Sequence, residues 1–151
     1  MTANRHRFRA WDKMDNRWYP HERGEWINMC SDGGVVHGFE GDIDEPDEAR
    51  FEIQMSTGLT DKAGKEIYEG DIVRQEDSLD FSDDEGEDLD RTYIGEVVVL
   101  PQKGACLRFP FVTDNFEGTS ELSKRYINVR RLRCEIIGNI HETPELLRPA
   151  T

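Results

Sequence analysis

Thr57–Gln75 reads TGLTDKAGKEIYEGDIVRQ. Short apolar stretches alternate here with residues that turn a chain, and two carboxylates, Glu69 and Asp71, flank a glycine. Asp61-Lys62-Ala63-Gly64 predicts a tight turn: an aspartate side chain accepts from its own backbone two residues on, and glycine takes positive φ at no steric cost. Lys65 to Tyr68 returns to extended structure, Glu69-Gly70 bends again, and Asp71 to Arg74 opens a further strand. Ile67, Ile72 and Val73 are the apolar anchors. The simplest account is strand, turn, strand, with Thr57-Gly58 ending the strand before it. As a sheet corner, the stretch makes this a β protein.

Working outward, period-two alternation dominates. In FEIQMSTGL, Phe51, Ile53, Met55 and Leu59 share a face opposite Glu52, Gln54 and Ser56, which predicts a half-buried strand. HRFRAW sets His6, Phe8 and Ala10 against Arg7, Arg9 and Trp11. ACLRFPFV aligns Ala105, Leu107, Phe109 and Phe111, while Pro110 removes a ladder donor and predicts an edge or a bulge. RRLRCEIIGNI aligns Leu132, Cys134, Ile136 and Ile140. GEVVVLP, Gly95 to Pro101, is a continuous β-branched run, the pattern of a strand covered on both faces. Val35 to Phe39 is a further short strand. Helix signals are few. Thr119 to Ile127 has Leu122 and Tyr126 four apart behind a Thr or Ser cap. Thr143-Pro144 precedes one closing turn, with proline at the first helical position.

Composition sets bounds. A chain of 151 residues is read as one domain able to bury a core. Its apolar fraction is 36%, below the usual ~45–50%, so part of it stays outside that core. That part is 75–90: from Glu76 to Asp90, nine of fifteen residues are acidic. Charge at that density repels itself and brings little apolar surface to offset ordering. The net charge of −13 gives an average field that opposes nucleic acid and anionic membrane. No run of 18 apolar residues occurs, so no membrane span is expected. The N-terminus lacks the apolar core of a secretory signal. Cys30, Cys106 and Cys134 are odd in number and far apart, which argues for free thiols and a reducing compartment.

Catalysis finds no local support, and no catalytic residue is assigned. Glu69 and Asp71 would serve as an acid/base pair only if buried together, whereas turn carboxylates are usually solvated or cap backbone N–H groups. The chain has no GxSxG, no GxxxxGK and no GxGxxG. Cys30 and His37 lack the short paired spacing of zinc ligands. Placing Gly86 at the sixth position of a calcium loop puts Phe81 and Thr92 where acids belong. No metal or cofactor is expected. Two charge features remain as candidate interaction sites. Arg5, Arg7, Arg9 and Trp11 near the start, with Arg130, Arg131 and Arg133 near the end, would form a basic, aromatic-bearing face if they met in space. The competing reading, which is preferred, has their stems covering apolar surface or their charges balancing the acidic loop. Asp83, Asp84, Glu85, Glu87 and Asp88 form an acidic segment that could engage a basic host protein by imitating DNA; a merely solubilising loop is again the simpler account.

Three blocks in order carry a resemblance: FRAWDKMDNRWY (Phe8 to Tyr19), MSTGLTDKAGKEIYEGDIV (Met55 to Val73) and CEIIGNIHETPELL (Cys134 to Leu147). They are similar to the YopX family of small proteins encoded by phages and prophages, with Ala63 where that family often has Asn and with a longer, more acidic insert after Val73. The resemblance spans nearly the whole chain. It implies a mainly β fold, with an N-terminal β extension over 1–58 and a small SH3-type barrel over 59–147, within a single domain 1–151. It implies action in the cytoplasm of a bacterial host and brings no catalytic residues. The resulting expectation is a non-enzymatic binding protein. Its candidate partners are a host protein, a second copy of itself through exposed strand edges, or, less favoured, nucleic acid. No membrane is among them.

Overall fold

A computed structural model of the chain describes residues 7–30, 34–45, 49–79, 89–114, 120–122 and 125–147. They are mainly β, as the alternation predicts, and form two compact units that divide between Met55 and Ser56.

The N-terminal unit contains β1 (Phe8–Asp12), β2 (Arg17–Tyr19), β3 (Glu25–Met29), β4 (Val35–Phe39) and β5 (Asp42–Ile43). It also holds the first half of β6 (Phe51–Thr60). β1 pairs antiparallel with β2 and with Phe51 to Met55 of β6, while β3, β4 and β5 form a three-stranded sheet. Ala10, Tyr19 and Phe51 are its buried core, with Ile27, Val35 and Ile53 packed against them. FRAWD ends in a buried carboxylate. Asp12 accepts from the Met14 N–H and makes a two-point ion pair with Arg50, at 3.1 Å from Nε and 2.9 Å from Nη2. Burial pushes this carboxyl up, but the Arg50 hydrogen bonds and charge hold it below the ordinary aspartate value.

The second half of β6 leads into the C-terminal unit and pairs with β7 (Glu66–Tyr68). β8 (Asp71–Leu79), β9 (Leu89–Leu100) and β10 (Gly104–Asp114) follow as an antiparallel meander. β13 (Cys134–Asn139) adds to the free side of β8, and β11 (Ser120–Leu122) and β12 (Ile127–Asn128) to that of β10. The sheet is curled like half a barrel. Its concave face buries Ile67, Val73, Tyr93, Val97, Leu107 and Cys134.

The opening stretch is the predicted sheet corner. Asp61 Oδ1 accepts from the Ala63 and Lys65 N–H groups at 3.0 and 2.9 Å, and Gly64 sits at φ +85°. Thr143-Pro144 leads into a 3-10 turn, Pro144–Leu147, as expected. The irregularity predicted at Pro110 is a bulge: the pairing of β10 with β9 shifts between Arg108 and Phe111.

Five local readings are corrected. The acidic segment does not leave the sheet over all of 75–90: β8 runs on to Leu79 and β9 starts at Leu89, with Gln75 fully buried, because the β8–β9 ladder gives these polar residues backbone partners. β6 does not stop at Gly58 but runs to Thr60 through a register shift, because β7 goes on pairing with it. The described part of 119–127 is not helical: Ser120–Leu122 and Ile127–Asn128 both pair with β10. One Leu–Tyr pair is too little to nucleate a helix where a ladder offers the backbone its bonds. GEVVVLP is not covered on both faces along its length: Val97 is fully buried, Val98 on the opposite face is only half-buried, and Val99, on the Val97 face at the end of the strand, is 43% exposed because the core stops short of it. Leu132 lies in the turn before β13 and is exposed, out of the apolar row.

Candidate functional site

The concave face of the C-terminal unit places a polar site at one end. On β8, Val73, Gln75 and Asp77 point to the same side, and across the ladder Gln75 faces Tyr93 and Asp77 faces Arg91. The core therefore ends where the alternation turns polar: Val73 is buried among apolar neighbours, Gln75 is buried and Asp77 is half-buried.

Gln75 acts as a clamp. Its Nε2 donates to the Asn128 carbonyl at 3.0 Å, and its Oε1 accepts from the Arg130 N–H at 2.7 Å. A buried amide that satisfies both its polar ends in this way pins the segment after β12 over the sheet. Arg130 is thereby brought to Asp77, with Nε 3.8 Å from Oδ1, close enough for an ion pair and too far for a hydrogen bond. Among the described residues no other group completes the bond, so Asp77 Oδ1 is shut off from solvent without a hydrogen-bond partner there.

Two grooves open on either side of Asp77. One, of about 500 Å³, has Lys62, Arg91 and Arg133 on its walls with Glu76, Thr92 and Leu132. The other, of about 550 Å³, has Lys103 and Arg130, the rings of Tyr93 and Tyr126, and Asn128. Both volumes lie in the range that holds small ligands or single nucleotide units. Arg91, Lys103 and Arg133 form no ion pair with a described residue, so an otherwise acidic chain concentrates cations here.

The residues singled out from sequence fall as follows. Arg130 and Arg133 line the grooves, and Arg131 is exposed between them. Arg7, Arg9 and Trp11 belong to the N-terminal unit. Arg9 bonds Gln54 Oε1 at 2.9 Å and lies 4.3 Å from the Trp18 ring centroid, and Trp11 is buried edge-on against Trp18. A buried indole offers no face to a nucleobase, so Trp11 and the Arg9 beside it are employed in packing, while Arg7 is exposed. Arg5, Asp83, Asp84, Glu85, Glu87 and Asp88 lie outside the described residues.

The central carboxylates are also employed. Asp71 is buried, accepting from the Tyr68 N–H at 2.8 Å and from Asn139 Nδ2 at 3.4 Å. Glu69 is half-buried, and neither residue lines either groove. Asp61 reaches past its own turn to accept from the Ile136 N–H at 3.1 Å. Burial pushes its carboxyl up, but three backbone donors and the Lys65 charge hold it below the ordinary value. His37 packs on Phe51 and Tyr19, ring centroids 4.8 and 5.8 Å apart. Its Nδ1 is 3.3 Å from Asp44 Oδ2, near enough for an ion pair but misaligned for a hydrogen bond. Cys30, Cys106 and Cys134 are free, and burial pushes the last two thiols up. Among the described residues no group of three His, Cys, Asp or Glu is placed to hold a metal, and no helix is long and apolar enough to cross a membrane.

Sequence reasoning missed Asp77, Gln75, Arg91 and Lys103 as members of one site. The available signal was the polar continuation of a core-facing row, Val73-x-Gln75-x-Asp77.

No curated protein matches the chain. Among solved structures it is similar to the protein yopX from Bacillus subtilis, at 18% identity over 95% of this chain and 97% of that one, with a TM-score of 0.50. Another match is protein EF1440 from Enterococcus faecalis, at 26% identity over 93% and 96%, with a TM-score of 0.46. The first supports the fold. The family profile described as YopX protein covers residues 7–148, from FRAWD through the Asp61 corner to the closing PELL, and the chain belongs to the YopX family.

Proposed function

We propose that this YopX-family chain acts by binding rather than by catalysis, as a phage or prophage protein in the cytoplasm of a bacterial host. What carries the reading is the employment of its central acids. Asp12, Asp61 and Asp71 each hold backbone N–H groups, and Glu69 stands apart from the grooves. Carboxylates committed to holding a fold are poor proton shuttles, because each bond to the ionised form disfavours taking up a proton. Affinity capture from a bacterial lysate, with and without nuclease, tests this. The expected result is a saturable complex that reconstitutes from purified components. Turnover of a small molecule that disappears in Glu69→Gln while the fold persists would overturn it.

A second reading is favoured by one observation, the cations around Asp77: the partner is nucleic acid. Phosphate contacts by Lys and Arg make binding fall steeply with salt. Strand binding at low salt should weaken in Arg131→Ala/Arg133→Ala, with the salt slope reduced by roughly one to two. No mobility shift at low salt would remove this reading. A host protein engaged through the acidic segment, and self-association through open edges, are the remaining partners of the binding proposal.

A further inference from the structure

We propose that Asp77 is a nucleotide-reading residue: it accepts a neutral N–H or O–H donor from one unit of a single-stranded nucleic acid whose phosphates rest on the flanking cations. The inference rests on the nucleic-acid reading and adds to it a site of discrimination.

The chemistry follows from what surrounds the carboxylate. A carboxylate oxygen closed off from water and left without a hydrogen-bond donor is costly, and native proteins rarely keep one unless something supplies the donor. Arg130 Nε, at 3.8 Å, lies beyond hydrogen-bond distance. Asp77 lines both grooves, so a ligand can approach it from two sides. Rotation about its χ2 is soft, which lets either oxygen turn to an incoming donor.

The ligand's charge is bounded by the walls. Lys62 and Arg130 already face Glu135 and Asp77, but Arg91 and Arg133 on one side and Lys103 on the other, without an ion pair to a described residue, outweigh Glu76 and repel a cationic donor. The donor must be neutral and carried by an otherwise anionic molecule. A nucleotide unit meets both conditions, with phosphate for the cations and a base edge or ribose hydroxyl for the carboxylate. Tyr126, half-buried on the wall of the second groove, is aromatic surface of the kind bases stack on, whereas Tyr93 belongs to the core. Single strands fit better than duplex, whose base donors are already paired. Guanine is the best matched base: its adjacent N1–H and N2–H groups meet the two oxygens of one carboxylate, whereas each other common base has one donor group on that edge.

The experiment uses the full chain and fluorescein-labelled ten-nucleotide strands at low salt. The strands are thymine with two central guanines, adenines or cytosines, all-thymine, and the ribose counterparts of each. The expected result is on the order of tenfold tighter binding of the guanine strand over all-thymine, flattened to near equality in Asp77→Asn with the salt slope kept. A ribose-over-deoxyribose preference that Asp77→Asn abolishes would support the proposal through the sugar hydroxyl instead. Strand binding whose ranking is the same in Asp77→Asn as in the unaltered chain overturns the inference and leaves the nucleic-acid reading standing. No binding to any strand overturns both. If Asp77→Asn fails to fold, the unaltered chain decides alone, and equal affinity for every strand refutes the proposal.

Discussion

Replacing Asp61 probes the corner on which the C-terminal unit is built. Its Oδ1 holds the Ala63 and Lys65 N–H groups and its Oδ2 holds that of Ile136, at 3.0, 2.9 and 3.1 Å. In Asp61→Asn the amide oxygen can keep both turn bonds, but Nδ2 then faces the Ile136 N–H, donor against donor. A hydrogen bond to a charged group is worth about 1.5–3 kcal/mol, so a loss of ~2–3 kcal/mol is expected. Asp61→Ala orphans all three donors. Ala63 and Lys65 are exposed and regain water, so the total rises only to ~3–4 kcal/mol. Native stability is typically ~5–15 kcal/mol, so both variants should fold, with Asp61→Asn melting about 4–12 °C lower. The acid dependence is the sharper readout. The folded carboxyl titrates below the ordinary 3.8, so its stabilisation is complete well above that value and is lost as pH falls through the folded pKa. A protonated Asp61 resembles asparagine. Urea unfolding of both proteins between pH 7 and pH 2.5 should therefore show a gap that is widest near neutrality and narrows as the pH falls below the ordinary 3.8. A gap below 0.5 kcal/mol at pH 7, or one that stays constant into acid, would refute the reasoning.

Arg50→Ala strands the buried Asp12 carboxylate and should cost about 3–5 kcal/mol by denaturant unfolding, more than Asp12 and Arg50 replaced together by neutral residues of similar size. Gly138→Ala would drive its Cβ into Thr143 Oγ1 and to 2.8 Å from Leu146, so the 3-10 turn must move; a fall of ~1–3 kcal/mol with faster hydrogen exchange at Leu146 is expected, and unchanged exchange would count against it. Gln75→Leu fills the same space but leaves the Asn128 carbonyl and Arg130 N–H unpaired. It should cost about 2–4 kcal/mol and weaken strand binding as strongly as Arg130→Ala does.

Much of the fold was legible because it depends on neighbours in sequence. Alternation in Phe51 to Met55, turn chemistry at Asp61 to Gly64 and the Thr-Pro start of the last turn are local signals; the two turns formed as read, and the strand did too, except that Gln54 on its polar face is buried. The candidate site was only partly legible. Arg130 and Arg133 were marked by charge alone, and nothing local links them to Asp77, 53 or more positions away. Arg9 and Trp11 looked like an accessible basic and aromatic pair, yet packing against Gln54 and Trp18 absorbs them.

From sequence alone come the β class, the corner, the free thiols and the three blocks that place the chain in its family, because periodicity, turn residues and ordered motifs are written along the backbone. Tertiary structure alone decides which polar residues are held and which are left wanting. Asp61 finds Ile136 and Gln75 finds Arg130 across the sheet, whereas Asp77 ends the same row of side chains with no donor. Whether a carboxylate is satisfied is a matter of distance in space, set when β8, β12 and β13 come together, and no spacing in the chain encodes it.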